Sequence, residues 1–192
     1  MEINTYKCLK RQIFDDGPYS LMPFREEDIF LIMTWRNEQM DILRQKRALT
    51  PEMQQRYYDE IIKPTFSQDM PAQILFSFLC EEKCIGYGGL VHIDWDSRRG
   101  EMSFLVDTKR INDSHIYKKD FTVYIGLFKI IIFEVLGFNR IYGETYDIRA
   151  NHIAIMEQNG FILEGRMREH VFIKGRYVDS LIHGLLKKDY LS

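Results

Sequence analysis

Apolar residues recur along this chain with two periods, and the switches between them outline its elements. Residues 5–14 alternate loosely, Asp15-Asp16-Gly17-Pro18 marks a turn, and Tyr19 to Arg25 resumes the alternation as a strand. Glu26-Glu27-Asp28 opens an apolar-periodic run at Ile29, Phe30, Ile32 and Met33, with acids at a helix start where the macrodipole favours them. Thr50-Pro51-Glu52 supplies an N-cap, an N1 proline and an acidic first turn for a second helix reaching Ile62. Pro64 and Pro71 bracket a loop.

From there the period falls to two. Residues 73–79 and 83–93 predict a hairpin around Glu81-Glu82, and a turn over Asp94 to Arg99 leads into a strand at 101–106. The polar stretch Asp107 to Asp120 reads as a loop before a long helix from Phe121 to Leu136. A strand at 140–146, a helix at 150–158 and a hairpin of 161–173 with 177–186 complete the chain. The order β-β-α-α-β-β-β-α-β-α-β-β predicts an α/β architecture: a central mixed sheet with helices on both faces. The strands at 101–106 and 140–146, separated by a helix, predict a parallel crossover unit.

Composition narrows the function classes. With 192 residues and neither repeat nor linker, residues 1–192 are expected to form a single domain. Twenty-six basic against 28 acidic side chains give a net charge of -2, which argues against a nucleic-acid partner. The most apolar stretch, Val123 to Phe138, is broken by Lys129 and Glu134, so no membrane span is expected. The N-terminus lacks the apolar core of a signal peptide, and three cysteines (Cys8, Cys80, Cys84) are too few for a disulfide framework. Together these predict a soluble cytoplasmic protein. A zinc site at Cys80 and Cys84 would need two more ligands, and only His92 is close; the five histidines have no metal-ligand spacing, so no metal is expected.

Ligands of mixed α/β sheets prefer the ends of adjacent parallel strands and the N-terminus of the following helix. Lys118 and Lys119, placed at the start of the long helix by the reading above, make an anion site there, or else are two solvated lysines.

The element order, together with several strings, resembles the GNAT superfamily of N-acetyltransferases, near its ribosomal-protein and amino-sugar branches. The strongest resemblance is Met156 to Leu186, MEQNGFILEGRMREHVFIKGRYVDSLIHGLL. FEVLGFNRIYGE at 133–144 and Trp35-Arg36-Asn37 add to it. The resemblance implies transfer of an acetyl group from acetyl-CoA, the cosubstrate, to a small-molecule primary amine. That amine is expected to be an amino sugar, in free or nucleotide-linked form, with a protein N-terminus or a binding-only role as alternatives. It implies Glu101 as general base, unless Glu101 merely pairs with Arg98 or Arg99. Leu105 and Val106 would receive the pantetheine arm, and Lys118 and Lys119 the pyrophosphate. Asn151 is either a coenzyme contact or a helix cap. Tyr146 stands in for the acid that protonates the coenzyme thiolate. Trp35, Arg36, Tyr57, Tyr58 and His170 are the acceptor-side candidates, of which Trp35, Arg36 and Tyr58 are preferred. Arg36 would meet an anionic substrate group, or else Asp28 or Glu38. A possible homodimer is also implied. One departure stands out: the family's glycine-rich phosphate loop corresponds to residues 112–120, which contain no glycine.

Overall fold

Two tight turns show how local sequence sets register. Glu81 and Glu82 adopt φ of 49° and 65°, closing a two-residue loop with Cys80 opposite Lys83. Lys174 and Gly175, at 48° and 82°, do the same with Ile173 opposite Arg176. In the computed structural model, which describes residues 3–191, these turns join strands β3 (Ile74–Cys80) to β4 (Lys83–Asp94) and β7 (Ile162–Ile173) to β8 (Arg176–Leu186). With β1 (Phe14–Asp16), β2 (Tyr19–Pro23), β5 (Arg99–Val106) and β6 (Arg140–Tyr146) they form one eight-stranded sheet. Its order is β1-β2-β3-β4-β5-β6-β8-β7, the mixed α/β sheet that the alternation predicts.

The helices lie on two faces and the core divides accordingly. α1 (Ile29–Glu38) and α2 (Pro51–Tyr57) cover one face, where Ile32, Trp35, Tyr58, Ile62, Tyr87 and Leu105 form a cluster. On the other face, α4 (Ser114–Lys129, continuing as a wider turn to Val135) and α5 (Ala150–Gln158) pack with Phe76, Phe78, Val106, Ile141 and many aromatics. α3 (Thr108–Ile111) is a single turn between β5 and α4.

The structure corrects three readings. Residues 5–13 form no strand: β1 is confined to Phe14–Asp16, so the first two acids of the expected turn are paired in the sheet with Tyr19 and Ser20. The long helix begins at Ser114, not Phe121. Its polar first turns are the solvent side of an amphipathic helix whose inner side is Tyr117, Asp120 and Phe121. Finally, Trp35 (4% exposed) and Tyr58 (1%) are core residues, not cleft walls.

The feature that positions a site is the junction of β5 and β6. They pair in parallel, as predicted, but only over Arg99–Glu101 against Arg140–Tyr142. Beyond that register the strands part, although β5 continues to Val106 and β6 to Tyr146. Both keep their other neighbours, β4 and β8, throughout. The sheet therefore opens in the middle rather than at an edge.

Candidate active site

A cleft of about 300 Å³ lies at this opening, lined from β5 by Glu101 to Phe104, from β6 by Gly143 to Tyr146, from α5 by His152 and Met156, and by Arg149 just before that helix. Strand alternation sorts its walls. Phe104 lies on the α4 face, stacked on Phe121 at 4.5 Å. Thr145 lies there too, donating to Met156 Sδ. Glu101 and Glu144 project to the opposite face, toward the segment between α1 and α2. The cleft thus passes through the sheet, apolar on one side and acidic on the other.

On the acidic side Arg44 bridges both carboxylates. Its Nη2 lies 2.7 Å from Glu101 Oε1 and 2.6 Å from Glu144 Oε2, and Nη1 adds a contact of 3.2 Å to Glu101 Oε2. The Glu101 and Glu144 side chains are only 11% and 14% exposed, Arg44 47%. Ser180 Oγ donates to Glu144 Oε1 at 2.6 Å. His92 Nε2 stands 3.7 Å from Glu101, and His170 Nε2 3.7 Å from Glu144. His92 reaches there because β4 bulges against β5 after Val91 and its φ is +50°. Glu101 therefore pairs with Arg44 and not with Arg98 or Arg99; Arg99 turns to Asp94.

Arg44 is held by local chemistry that begins at Asn37. The Asn37 amide donates to Leu49 O at 2.9 Å and accepts from Leu49 N at 2.8 Å and from Gln45 Nε2 at 2.9 Å. This clamp fixes the segment that carries Arg44. Neighbouring Arg36 donates to Gln45 Oε1 and to the Tyr87 hydroxyl. It meets neither Asp28, which Arg25 takes, nor Glu38, which accepts from Thr108.

On the apolar side, Arg149 Nη2 donates to the Tyr117 hydroxyl at 3.2 Å, which sits 2.7 Å from His152 Nδ1. His152 is 7% exposed and stacks on Phe121 at 4.3 Å. Burial, then the Arg149 charge and His183, hold its pKa well below the ordinary value. Tyr146 lines the cleft at the end of β6, and burial raises its pKa. Leu105 and Val106 sit on the parted stretch of β5, and the Val106 carbonyl already accepts from Gln39 Nε2 at 2.8 Å.

The remaining predicted residues lie elsewhere. Lys118 and Lys119 are exposed in the second turn of α4, with Lys119 Nζ 5.6 Å from the centre of the Tyr19 ring. Asn151 is exposed on α5 and caps nothing; Arg149 is the residue at that helix's N-cap. Tyr57, half-exposed, lines a separate apolar cavity with Met53 and Tyr87. Sequence reasoning overlooked Glu144, His152 and the Arg44 bridge. Glu144 carried a signal: it is a lone acid in a strand pairing in parallel with that of Glu101.

The site suits one end of a pantetheine thioester better than the other. The parted β5 edge and apolar wall suit the arm and acyl group. At the start of α4, however, the Asp113 carboxylate accepts from His115 N and Ile116 N at 2.9 and 3.0 Å. Those are N–H groups that a glycine-rich loop would offer to phosphate. Arg110, the nearby arginine, is committed to buried Asp120 at 2.5 Å. No group of three or more His, Cys, Asp or Glu side chains among the described residues is arranged to hold a metal, and no helix there is long and apolar enough to cross a membrane.

Comparison with known proteins places the chain. Residues 21–182 match the family described as acetyltransferase (GNAT) domain. Among solved structures, the spermidine N-acetyltransferase of Vibrio cholerae in complex with CoA and spermine superposes with a TM-score of 0.78 at 19% identity. That match covers 92% of this chain and 100% of the other. A dodecameric structure of the Vibrio cholerae enzyme gives 0.73 at 19% identity, covering 92% and 98%. At such identities the likeness concerns the fold. A search of curated proteins finds no match to the sequence.

Proposed function

The chain belongs to the GNAT acetyltransferase family and is an acetyl-CoA-dependent N-acetyltransferase; we propose that its acceptor is a small aliphatic primary amine that arrives as an ammonium ion, with polyamines as the leading class. The observation that carries this is the pair of nearly buried carboxylates, Glu101 and Glu144, converging on a single guanidinium at the acidic mouth of the cleft. Two carboxylates against one cation leave room for a second cation, and an ammonium fits the place that Arg44 now fills.

The chemistry needs little more. An alkylamine is mostly protonated near neutral pH and must lose a proton before it attacks. Glu101, directly or through water, takes that proton, a role that contributes about 10²–10⁴-fold where it operates. Bound in the cleft, the thioester supplies the electrophilic carbonyl. On the parted stretch of β5 the Val106 N–H faces away from β4 and binds the arm beside it, while Leu105 turns its backbone to Tyr87 of β4. Tyr146 borders the same cleft, and burial moves its phenol pKa upward, further from neutrality.

The nucleotide-linked amino sugar expected from sequence needs a free cation on the acceptor side. Arg36, its anchor, is already bonded to Gln45 and Tyr87. The similar structure carrying spermine agrees with the polyamine reading. An acetylation panel of spermidine, a free amino sugar, its nucleotide conjugate and a peptide N-terminus tests it. Spermidine should have the highest kcat/KM, and a preference for the nucleotide sugar would overturn the reading.

We also infer that residues 1–192 act as one domain and that copies pair through the outer strand β7. Ile162, Leu163, Phe172 and Tyr177 stand 46–64% exposed on that hairpin, and an unpaired edge strand is a ready pairing surface. Sedimentation of the purified protein as a monomer would remove the pairing.

A further inference from the structure

His152 has no role in the chemistry above, yet it borders the cleft on the side opposite Glu101. Its surroundings determine which hydrogen-bonding state it presents. A guanidinium can only donate, so Arg149 uses one lone pair of the Tyr117 oxygen. The Tyr117 hydroxyl is buried and has no acceptor among the described residues other than His152 Nδ1, at 2.7 Å. Leaving that hydroxyl hydrogen unpaired would incur the desolvation cost of a buried donor, so Tyr117 donates to Nδ1. Nδ1 is then an acceptor, and the neutral ring carries its proton on Nε2. The lowered pKa of His152 agrees with a neutral ring. No described residue accepts from Nε2, and the ring is clamped against Phe121.

We propose that the chain Arg149–Tyr117–His152 holds His152 in its Nε2–H tautomer as a hydrogen-bond donor to the coenzyme sulfur during acetyl transfer. This rests on the acetyltransferase reading but not on the identity of the amine. As the amine nitrogen bonds to the acyl carbon, the carbon–sulfur bond breaks and its electron pair remains on sulfur. The proton that the ammonium lost before attack has passed through Glu101 to solvent; the second, lost from nitrogen as the amide forms, goes to Glu101 or its water, and Nε2–H hydrogen-bonds the resulting thiolate without surrendering its own proton. A thiol with a pKa near 8.5 is a leaving group that a donor of this kind can support. His152 is the catalytic residue here; Tyr117 and Arg149 are positioning residues.

The first test needs no turnover. In protein labelled with nitrogen-15 histidine, His152 should appear as the neutral Nε2–H tautomer across the range in which exposed histidines titrate. Tyr117→Phe, which preserves the ring packing, should weaken that bias. An Nδ1–H tautomer or a titrating His152 in the native protein overturns the proposal. The second test follows the ultraviolet absorbance of bound CoA thiolate: His152→Phe should raise the pH at which it forms and lower kcat about 10- to 100-fold, with little change in the KM of the amine. An unchanged thiolate titration overturns it. If His152→Phe does not fold, Tyr117→Phe carries the same measurement, with a smaller shift expected and no shift counting against the proposal. An amine panel that gives no acetyl transfer would instead count against the function above, because the tautomer and thiolate readouts need no turnover.

Discussion

Arg44 Nη2 lies 2.7 Å from Glu101 Oε1, joining side chains 57 positions apart in sequence. The contact ties the α1–α2 connection to the strand where the sheet opens. It also fills the acidic mouth of the cleft with a cation from the protein itself. An incoming ammonium must share or take that place.

Replacing Glu101 with Gln removes the proton acceptor while keeping the size of the side chain. We expect kcat/KM for the preferred amine to fall about 10²–10⁴-fold with acetyl-CoA affinity largely retained. Steady-state kinetics and calorimetric titration of the coenzyme check this together. An unaltered rate would remove Glu101 from the mechanism.

Arg44→Gln should act in the other direction on binding. Half-exposed, the guanidinium contributes at most about 1 kcal/mol to the pair, so its removal should lower the KM of a cationic amine by up to about fivefold. The effect should shrink as salt screens the carboxylates. A KM that rises would instead make Arg44 a substrate ligand.

Gly88→Ala tests the register of β4 against β5. A Cβ there would stand 2.2 Å from the Ser103 carbonyl oxygen and 2.4 Å from the Tyr124 hydroxyl. Ser103 O and Tyr124 are themselves hydrogen-bonded at 2.7 Å, so neither can retreat without losing that bond. Overpacking of this kind costs about 1–3 kcal/mol, which for a chain of this size lowers Tm by roughly 2–10 °C. Calorimetry showing an unchanged Tm would mean the strands separate more easily than the contacts indicate.

Asp113→Ala tests the cap of α4. The Ile116 N–H, followed by that of His115, holds the Asp113 carboxyl below its ordinary range. A lowered native pKa means that the charged cap stabilises the fold above the unfolded-state value, about 4. That contribution disappears as pH falls through the lower native value. The native protein should therefore have a higher Tm than the variant at neutral pH, and the gap should close below about pH 4. A gap independent of pH would deny the cap its charge dependence. Freed of this carboxylate, the same N–H groups become available to phosphate, so coenzyme affinity should rise in the variant.

Much of the architecture follows from local chemistry that a sequence displays directly. The period-two runs, the Glu81-Glu82 and Lys174-Gly175 turns, and the Thr50-Pro51 helix start each act over a few residues, and each appears in the structure. Where the pattern misled, the cause was amphipathicity. The polar run before Phe121 is the wet side of a helix whose buried side is spaced at Tyr117, Asp120 and Phe121. Aromatic identity misled in the same way at Trp35 and Tyr58, since a large ring on a helix is equally suited to core and cleft, and both rings fill core.

The sequence by itself determined the mixed α/β sheet, the parallel pairing around Glu101 and the family to which the chain belongs. Only the tertiary structure decided what surrounds Glu101. Its partners Arg44 and, through that guanidinium, Glu144 come from segments 57 and 43 positions away, as the residue numbers give. The Arg149–Tyr117–His152 chain likewise joins α5 to the start of α4. Local propensity acts over a turn of chain, whereas these contacts exist because two strands part after three paired positions and bring distant side chains to one cleft.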